Sequence, residues 1–309
     1  MTGAGLLVIG DVVTDVVARH DTPVASGTDT AAEIVMRPGG SGANTAAWAA
    51  HLGADTRLLA RVGFDSSDWH IGELRRAGVR PQVRVDPDRP TAVVIAMVDP
   101  TGERSMLTNR GAGGHISAAD WSDDLLDGVA RLHLSAYLLF AEPGLVLARL
   151  AMARAAERGI PISVDPASTG PLLAFGIPRF HYETAAADLI IPNRDEALLL
   201  TGADTPAEAA EQLSLRYGTA IVKLGAAGAL LAKAGRPLLS LPGEECDPVD
   251  STGAGDAFAA GFLAATLAGS DDATALKAGC AAGATAVSLI GGRPRYGLGS
   301  NRLYPIHTD

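Results

Sequence analysis

Short apolar runs alternate along this chain with segments of helical length, and this alternation restricts the fold more than any other feature. Each run is four to six residues long and reads as a buried strand. Strand–helix alternation predicts a mainly parallel sheet with helices on both faces. The predicted strands are Leu6–Ile9, Arg57–Val62, Leu132–Ser135, Ile162–Asp165, Leu189–Pro192 and Ala220–Leu224, and the intervening helices include Gly144–Arg158 and Pro206–Tyr217.

Two stretches interrupt the alternation, at about residues 12–37 and 80–107. They contain β-rich pieces with turn residues between them, such as the DPTG turn at 99–102. We therefore predict one α/β domain over residues 1–309 that carries a small β-sheet lid formed by both insertions. The alternative is that these pieces are ordinary edge strands. The strands expected in the lid include Glu33–Met36, Thr91–Val98 and Arg104–Leu107.

The bulk composition excludes several classes of function. The 309 residues carry a net charge of −10 without basic runs, so the chain is a poor candidate for nucleic-acid binding. The sequence contains no apolar run of about 20 residues, so it predicts no membrane span. Asp11 and Asp15 interrupt the apolar N-terminal stretch, which argues against a signal peptide. Cys246 and Cys280 have no metal-type spacing, so a reduced cytoplasmic location is expected.

Several common nucleotide-binding and hydrolase signatures are missing from the sequence. None of the three lysines follows a glycine, so the P-loop signature is absent. No GxGxxG follows the first strand, which gives a dinucleotide-binding fold little support. The GGSGA run at 39–43 lacks the final glycine of a GxSxG nucleophile elbow.

The strongest local signal is the run DSTGAGDAF at 250–258, which precedes an alanine- and leucine-rich helix. The first turn of a helix has unpaired backbone N–H groups, and glycines such as Gly253 and Gly255 let an anion approach them closely. At the mouth of this turn, Asp256 can accept a proton from an attacking hydroxyl while the amides hold phosphoryl oxygens. The alternative is that Asp256 merely caps the helix.

This run and four other segments resemble the ribokinase-like, phosphofructokinase-B-type carbohydrate kinases. Residues 250–263 are similar to the C-terminal signature of that family, and GGSGAN at 39–44 to its N-terminal glycine signature. The segments GDVVTD at 10–15, NRDE at 193–196 and KLGAAG at 223–228 look like its substrate motif, its Asn-x-x-Glu motif and its nucleotide-side glycine turn. The resemblance covers nearly the whole chain and implies a three-layer α/β/α fold with a lid.

The resemblance implies a role for each matching residue around the acceptor. Asp15 is expected to be the stronger sugar ligand, whereas Asp11 would otherwise serve a turn and Asn44 would otherwise be a plain helix N-cap. Ser41 stands where ribokinases proper often carry Lys, which weakens a ribose assignment. The implied general base is Asp256, the anion hole is Gly253, Ala254 and Gly255, and the substrate-binding residues are Asp11, Asp15, Gly39, Gly40, Asn44 and Arg110.

The resemblance also implies ATP and Mg²⁺. Asn193 and Glu196 supply too few oxygen ligands to hold Mg²⁺ alone, so they are expected to organise its water shell and the phosphates. A helix start capped by Asn193 is the alternative. Small residues on the predicted helix Ala273–Leu289 suit an adenine slot or equally helix packing. The expected nucleotide contacts are Asn193, Lys223, Gly225, Gly228, Cys280, Gly283 and Ala284.

Some relatives bind a monovalent cation near the anion hole. Arg295 falls where the ribokinase-type pattern has Ser, and a fixed guanidinium there could replace the cation, which puts potassium activation in doubt. The positions matching those that supply oxygens to the cation are Asp250, Thr252, Ala286 and Gly291.

The sequence therefore predicts a homodimeric kinase that transfers the γ-phosphoryl group of ATP to a hydroxymethyl group of a sugar or sugar-like substrate. Three alternatives remain: a nucleoside kinase acting on a ribose 5′-hydroxyl, a keto-sugar-acid kinase that uses Arg110, and a catalytically silent sugar sensor. The sequence names neither the sugar nor the donor, ATP or ADP.

Overall fold

The structure is a computed structural model that describes residues 5–100 and 104–295. The strands in these residues are β1 (Gly5–Ile9), β2 (Val13–Arg19), β3 (Glu33–Gly39), β4 (Thr56–Gly63), β5 (Arg80–Asp86), β6 (Ala92–Val98), β7 (Arg104–Asn109), β8 (Val129–Ser135), β9 (Ile162–Asp165), β10 (Leu189–Ile190), β11 (Thr219–Lys223), β12 (Ala229–Lys233) and β13 (Leu239–Leu241). The α-helices are α1 (Ser41–His51), α2 (Ser67–Arg76), α3 (Glu142–Glu157), α4 (Thr169–Phe175), α5 (Ile177–Glu183), α6 (Arg194–Thr201), α7 (Pro206–Tyr217), α8 (Ala254–Leu267) and α9 (Asp272–Val287).

Nine strands form one large sheet in the order β13-β12-β11-β10-β9-β8-β1-β4-β5. The strands from β11 to β5 in this order pair in parallel, whereas β12 and β13 are antiparallel additions at one edge. The predicted mainly parallel sheet is confirmed, and all six predicted strands lie in it. The strand predicted over Leu189–Pro192 is shortened to β10, and Pro192 has no N–H to give to a ladder.

The two faces of the large sheet each bury a hydrophobic core. Along β1, Leu6 and Val8 join one core and Leu7 and Ile9 the other, because successive side chains of a strand point to opposite faces. Residues of α1, α2, α8 and α9 pack on the first face. Residues of α3 to α7 pack on the second face. The result is the expected three-layer α/β/α arrangement.

The remaining four strands form a separate small sheet in the order β3-β2-β6-β7. β2 pairs antiparallel with β3 and parallel with β6, and β6 pairs antiparallel with β7. Val17, Val35 and Val94 on one face line the large cavity described below. The predicted small second sheet is therefore confirmed, while its closure over a ligand stays a prediction.

The second insertion contributes less to the small sheet than the predicted boundaries of about 80–107. Strand β5 pairs in parallel with β4 and forms an edge of the large sheet. The small sheet takes only β6 and β7 from this stretch, so the boundary at 80 is wrong. The sequence RPQVRVD of β5 alternates polar and apolar residues, which is typical of a half-exposed edge strand in either sheet.

Helix α1 begins at Ser41, whereas an N-cap at Asn44 would have started it at Thr45. Its N-cap is Gly40, with a φ of 97° that favours glycine, and a Cβ there would lie 2.6 Å from the Asp11 carbonyl oxygen. Asn44 therefore lies in the first turn of the helix, and the alternative that it is the N-cap is wrong. Among the described residues, no helix is long and apolar enough to cross a membrane.

Candidate active site

One cavity of about 1560 Å³ lies between the small sheet and the carboxyl ends of the parallel strands. Asp11 follows β1, Asp165 ends β9, Asn193 follows β10 and Lys223 ends β11, and all four line this cavity. Open α/β sheets bind ligands at this edge, where the ends of several strands bring distant parts of the chain together. The cavity also receives Asp256 from the start of α8.

Asp256 lies in the first turn of α8, and both oxygens of its carboxylate accept hydrogen bonds from α1. Ser41 Oγ donates to Oδ1 at 2.9 Å and Asn44 Nδ2 donates to Oδ2 at 3.0 Å. Ser135 Oγ in turn donates to Ser41 Oγ at 3.1 Å. Burial raises the pKa of Asp256 to about 7, although the hydrogen bond from Asn44 lowers it. A carboxylate with this pKa is matched to proton transfer near neutral pH.

The two glycines at the start of α8 lie close to other parts of the chain. Gly253 is the N-cap with a φ of 73°, and a Cβ there would lie 2.5 Å from Gly292 Cα. A Cβ on Gly255 would lie 3.3 Å from Lys223 Nζ. The Ala254 N–H donates to the Ser251 carbonyl at 3.3 Å. The first-turn amides that remain available to an anion therefore lie at Gly255 and Asp256, close to the ammonium of Lys223.

Lys223 forms a buried ion pair across the cavity floor. Its Nζ lies 2.6 Å from Asp165 Oδ2, and the two side chains are only 12% and 8% exposed. Burial lowers the pKa of Lys223, but the charges of Asp165 and Glu196 more than offset this, so the pKa is raised overall. Lys223 is thus a fixed positive charge at the site. Asp165 was predicted only as the end of a strand, and its position at the sheet edge was the available signal for a functional role.

Asn193 and Glu196 form a capping box at the start of α6. The Asn193 side chain accepts from the Glu196 N–H, and the Glu196 carboxylate accepts from the Asn193 N–H at 2.8 Å and from Nδ2 at 2.7 Å. Burial, followed by the charge of Asp165, raises the pKa of Glu196 to about 7. Asn193 therefore caps α6, as the alternative prediction had it, and both Asn193 and Glu196 also line the cavity.

The carboxylates beside α6 fit an Mg²⁺ ion that is held mainly by phosphates and water. In the part of the chain that the structure describes, no three His, Cys, Asp or Glu side chains are grouped to hold a metal. Asp165 is paired with Lys223, and Glu196 is bonded to Asn193. Both carboxylates face the cavity as hard oxygen acceptors, which suits contacts to the water shell of Mg²⁺.

Asp11 and Asp15 have different environments at the opposite end of the cavity. Asp11 Oδ1 accepts the Gly42 N–H at 3.1 Å, so Asp11 serves the turn before α1, as its alternative had it, while burial raises its pKa. Asp15 lies over Gly39, where a Cβ would come within 2.0 Å of its Oδ2. Burial, followed by the charge of Asp11, raises the pKa of Asp15 to about 7, and the charge of Arg293 opposes this rise.

Asn44 joins the two ends of the cavity. Its Nδ2 is committed to Asp256, whereas its Oδ1 is buried without a hydrogen-bond partner among residues 5–100 and 104–295. Buried polar atoms in proteins are nearly always bonded, so this acceptor indicates a donor supplied by a ligand, such as a substrate hydroxyl. Gly292 lies directly beside it, since a Cβ there would be 2.4 Å from Nδ2.

The carboxylate of Asp250 is engaged by the surrounding loops. Oδ1 accepts from the Thr252 N–H at 2.9 Å and from Thr252 Oγ1 at 2.7 Å, and Oδ2 accepts from the Gly291 N–H at 3.0 Å. The Ala286 carbonyl accepts from the Leu289 N–H at 3.0 Å. Asp250, Thr252 and Gly291 of the predicted monovalent-cation set thus lie together, and the carbonyl of Val287, the neighbour of Ala286, accepts the Asp250 N–H at 3.0 Å.

Two arginines that were not predicted, Arg37 and Arg293, line the cavity together with the predicted Arg295, whose role in place of a cation stays a prediction. Arg295 is exposed, whereas Arg293 is only 7% exposed and donates from Nη2 to the Gly39 carbonyl at 3.3 Å. Arg37 from β3 packs beside Gly291, where a Cβ would lie 3.1 Å from its Cδ. Arg110 also lines the cavity from an exposed position. Neither Arg37 nor Arg293 was predicted, because no motif in the sequence singles them out.

The residues predicted for the nucleotide divide into two groups. Gly225 lines the cavity with Asn193 and Lys223. Gly228 lies in a turn with a φ of 96°, and a Cβ there would lie 2.0 Å from the Leu241 carbonyl oxygen. Cys280, Gly283 and Ala284 lie on α9 outside the residues that line the cavity. Gly283 packs against the start of α8, so an adenine slot there stays a prediction.

Comparison with known proteins places this site in a family. Residues 4–295 match the pfkB family carbohydrate kinases. The chain is 32% identical over 296 residues to the ATP-dependent ribose-1-phosphate kinase of Halopiger xanaduensis, covering 93% of each protein. It is 29% identical over 274 residues to the ribokinase of Bacillus subtilis, covering 88% of this chain and 89% of the relative.

Solved structures agree with the sequence comparison. Adenosine kinase from Sinorhizobium meliloti superposes with a TM-score of 0.86 at 26% identity, covering 94% of this chain and 96% of that one. A putative ribokinase II from E. coli in complex with ATP and Mg²⁺ gives a TM-score of 0.84 at 25% identity, covering 94% of both chains. The chain belongs to the pfkB family of carbohydrate kinases, the ribokinase-like family that its sequence resembles.

Proposed function

We propose that this kinase transfers the γ-phosphoryl group of ATP to a primary hydroxyl of a sugar or sugar-like acceptor, with Asp256 as the general base. The observation that carries the proposal is the position of the Asp256 carboxylate, which Ser41 and Asn44 fix beside the free amides of α8. A base and an anion site within one helical turn are what in-line phosphoryl transfer requires.

Asp256 would take the proton of the attacking hydroxyl as the oxygen–phosphorus bond forms and the bond to the leaving ADP oxygen breaks. Its pKa of about 7, raised by burial, leaves much of it ionised at neutral pH and able to hold the proton afterwards. The Asn44 Oδ1 atom would accept a hydrogen bond from a hydroxyl of the acceptor and so orient it.

The charge that develops on the transferred group would be stabilised by fixed donors. The amides of Gly255 and Asp256 point from the positive end of the α8 dipole, and the Lys223 ammonium lies beside Gly255. Mg²⁺ bound to ATP supplies further neutralisation of phosphate oxygens, and Glu196 and Asn193 would hold its water shell. Asp165 keeps Lys223 charged and in place.

The small sheet would close over the acceptor and exclude water. Its inner face lines the cavity with apolar side chains such as Val17, Val35 and Val94. Exclusion of water limits wasteful hydrolysis of ATP and strengthens the electrostatic contacts inside the site.

A homodimer that pairs the outer faces of the small sheets is part of the proposal. Met36, Ile95 and Leu107 are 47%, 37% and 59% exposed and lie in one row across the strands. Contiguous exposed apolar residues of this kind mark interaction surfaces. Sedimentation of the wild type and of Leu107→Glu tests this: a dimer that the variant converts to a monomer is expected, and a monomeric wild type would contradict it.

Turnover without potassium is also proposed. Asp250 and Ala286, which would supply oxygens to a monovalent cation, are already bonded to backbone N–H groups or Thr252. Rates with sodium and with potassium salts of the same concentration should agree. A strong dependence on potassium would contradict this part of the proposal.

The test is an assay of ADP release from Mg·ATP against a panel of sugars, sugar phosphates, sugar acids and nucleosides, with identification of the phosphorylated product. Replacement of ATP by ADP, followed by AMP release, settles the donor. Acceptor-dependent turnover is expected. Binding of a sugar without any phosphorylated product would instead favour a catalytically silent sensor.

A further inference from the structure

The substrate end of the cavity is built where two distant segments of the chain cross. Residues 37–39 end the small-sheet strand β3, and residues 291–293 follow α9. Arg293 of the second segment donates to the Gly39 carbonyl of the first at 3.3 Å. Arg37 of the first packs on Gly291 of the second. Each segment therefore places its own arginine against the backbone of the other.

This crossing forms the wall next to the acceptor site. Gly39 lies under the Asp15 carboxylate, and Gly292 lies beside the Asn44 amide. Arg37 and Arg293 both line the same cavity as Asp15 and Asn44. Two guanidinium groups therefore face the place where the acceptor would be held, one carried by the small sheet and one by the large domain.

The guanidinium of Arg37 is only partly satisfied by the protein. The Nε atom of Arg37 is buried and has no hydrogen-bond partner among residues 5–100 and 104–295. Of the carboxylates nearby, Asp11 and Asp250 accept hydrogen bonds from backbone N–H groups, and Asp15 lines the same cavity. Leaving a buried charged donor unsatisfied is costly, so a ligand that supplies the missing acceptor would be bound selectively.

A neutral sugar hydroxyl is a weak match for such a group. A guanidinium presents several N–H donors in a planar fork, which suits the paired oxygens of a phosphate or a carboxylate. Arg110 lines the same cavity as Asp11 and is exposed enough to approach such an anion as well.

We infer that the acceptor of this kinase carries an anionic substituent, a phosphate or a carboxylate, which Arg37 and Arg293 bind while Asn44 holds the hydroxyl end. The inference rests on the proposed function, since it concerns the acceptor of the same reaction. Arg37 belongs to the small sheet, whereas Arg293 follows α9, which packs on the large sheet. An anion bound by both arginines would therefore connect the small sheet to the rest of the protein. Neutral sugars and nucleosides would lack this contact.

The experiment compares matched pairs of acceptors that differ only in the anion: a sugar with its phosphate, and a sugar with the corresponding sugar acid. For each pair, kcat/KM and the dissociation constant without ATP are measured for the wild type, Arg37→Gln and Arg37→Lys. Arg236→Gln is the control, because it removes one positive charge from an exposed turn at the far edge of the large sheet.

In the wild type, one anionic member should exceed its neutral counterpart at least tenfold in kcat/KM. Loss of a charge-assisted contact should reduce this ratio about 10- to 100-fold in Arg37→Gln and less in Arg37→Lys. The ratio should not change in Arg236→Gln. The pair that shows the preference identifies the anion as phosphate or carboxylate.

Equal or better use and binding of the neutral members by the wild type, or an equal loss for both members in Arg37→Gln, overturns the inference. In that case acceptor-dependent ADP release would still support the proposed kinase activity. If no acceptor is phosphorylated, the proposed function fails, and the binding constants alone decide whether the site selects an anion.

Discussion

The two ends of the active-site cavity differ in how their buried polar groups are satisfied. At the end that holds the base, both Asp256 oxygens accept hydrogen bonds and Lys223 is paired with Asp165. At the substrate end, Asn44 Oδ1 and Arg37 Nε are buried without partners among the described residues. The charged side chains of the first end are paired before any ligand binds, whereas two buried side-chain atoms of the second end gain a partner only from a ligand.

This difference corresponds to two tasks. Phosphoryl transfer depends on preorganised charges, so its groups are held by the protein itself. Recognition of a particular acceptor depends on groups that gain a partner only when that acceptor arrives, because an acceptor without the matching atoms then leaves buried groups unpaired. Mutations at the first end should therefore affect stability and chemistry, and those at the second should affect the choice of acceptor.

The largest expected effect on folding comes from breaking the buried pair at the catalytic end. Lys223→Met leaves the Asp165 carboxylate buried without its partner and should lower the free energy of unfolding by about 3–5 kcal/mol. Urea denaturation of this variant measures the change. The double variant Lys223→Met/Asp165→Asn should recover much of the stability without recovering turnover. Full stability of the single variant would show that the pair is not buried in solution.

Asn44→Ala should reduce kcat/KM about 100-fold or more, because it removes a partner of Asp256 and the acceptor for a substrate hydroxyl together. The matched control is Asn193→Ala, which alters the cap of α6 on the nucleotide side. The control should mainly change the KM for ATP. A similar effect of both variants on the acceptor KM would remove the distinction between the two ends.

The rate should depend on pH through the base. With the pKa of Asp256 raised by burial to about 7, kcat/KM should be constant at higher pH and fall about tenfold per unit at lower pH, since only the carboxylate accepts the proton. Asp15 and Glu196 also have pKa values raised to about 7. Comparing the pH profiles of Asp15→Asn and Glu196→Gln with that of the wild type shows how much each carboxylate contributes to the fall in rate. A profile that is flat down to pH 5 would contradict a buried base.

The smallest expected effect concerns the hydrogen bond from Ser41. This bond lowers the pKa of Asp256, so Ser41→Ala should move the acidic limb of the profile to higher pH and slow turnover a few-fold at pH 7, with little effect at pH 9. Ser135→Ala removes only the hydrogen bond that Ser135 donates to Ser41, so it should shift the acidic limb of the pH profile less. No shift in Ser41→Ala would mean that the bond is absent in the working enzyme.

The sequence nominated residues at both ends of the cavity, and their roles stay predictions. Asp256 and Gly253 lie in a short run before a helix where chain neighbours determine the geometry, so a local pattern was enough to nominate them, whereas Asn193 and Lys223 were nominated through the family resemblance. The apolar runs of the parallel strands were equally clear, whereas β5 was assigned to the lid because its alternating residues fit an edge strand of either sheet.

The remaining residues depend on contacts between distant segments. Arg37 and Arg293 reach the cavity only because β3 crosses the segment after α9, and a chain rich in arginine gives no local reason to select them over Arg295. Asn44 seemed able to cap a helix until the structure showed that α1 begins at Ser41. Such outcomes depend on tertiary packing rather than on local propensity.

The most direct measurement is acceptor-dependent ADP release by the wild type and by Asp256→Asn. This substitution keeps the size and shape of the side chain and removes its negative charge. The variant should retain its fold and its affinity for the acceptor but lose about 10²- to 10⁴-fold in kcat, since it cannot take the hydroxyl proton. A kcat within about threefold of the wild type would contradict the role of Asp256 as the general base.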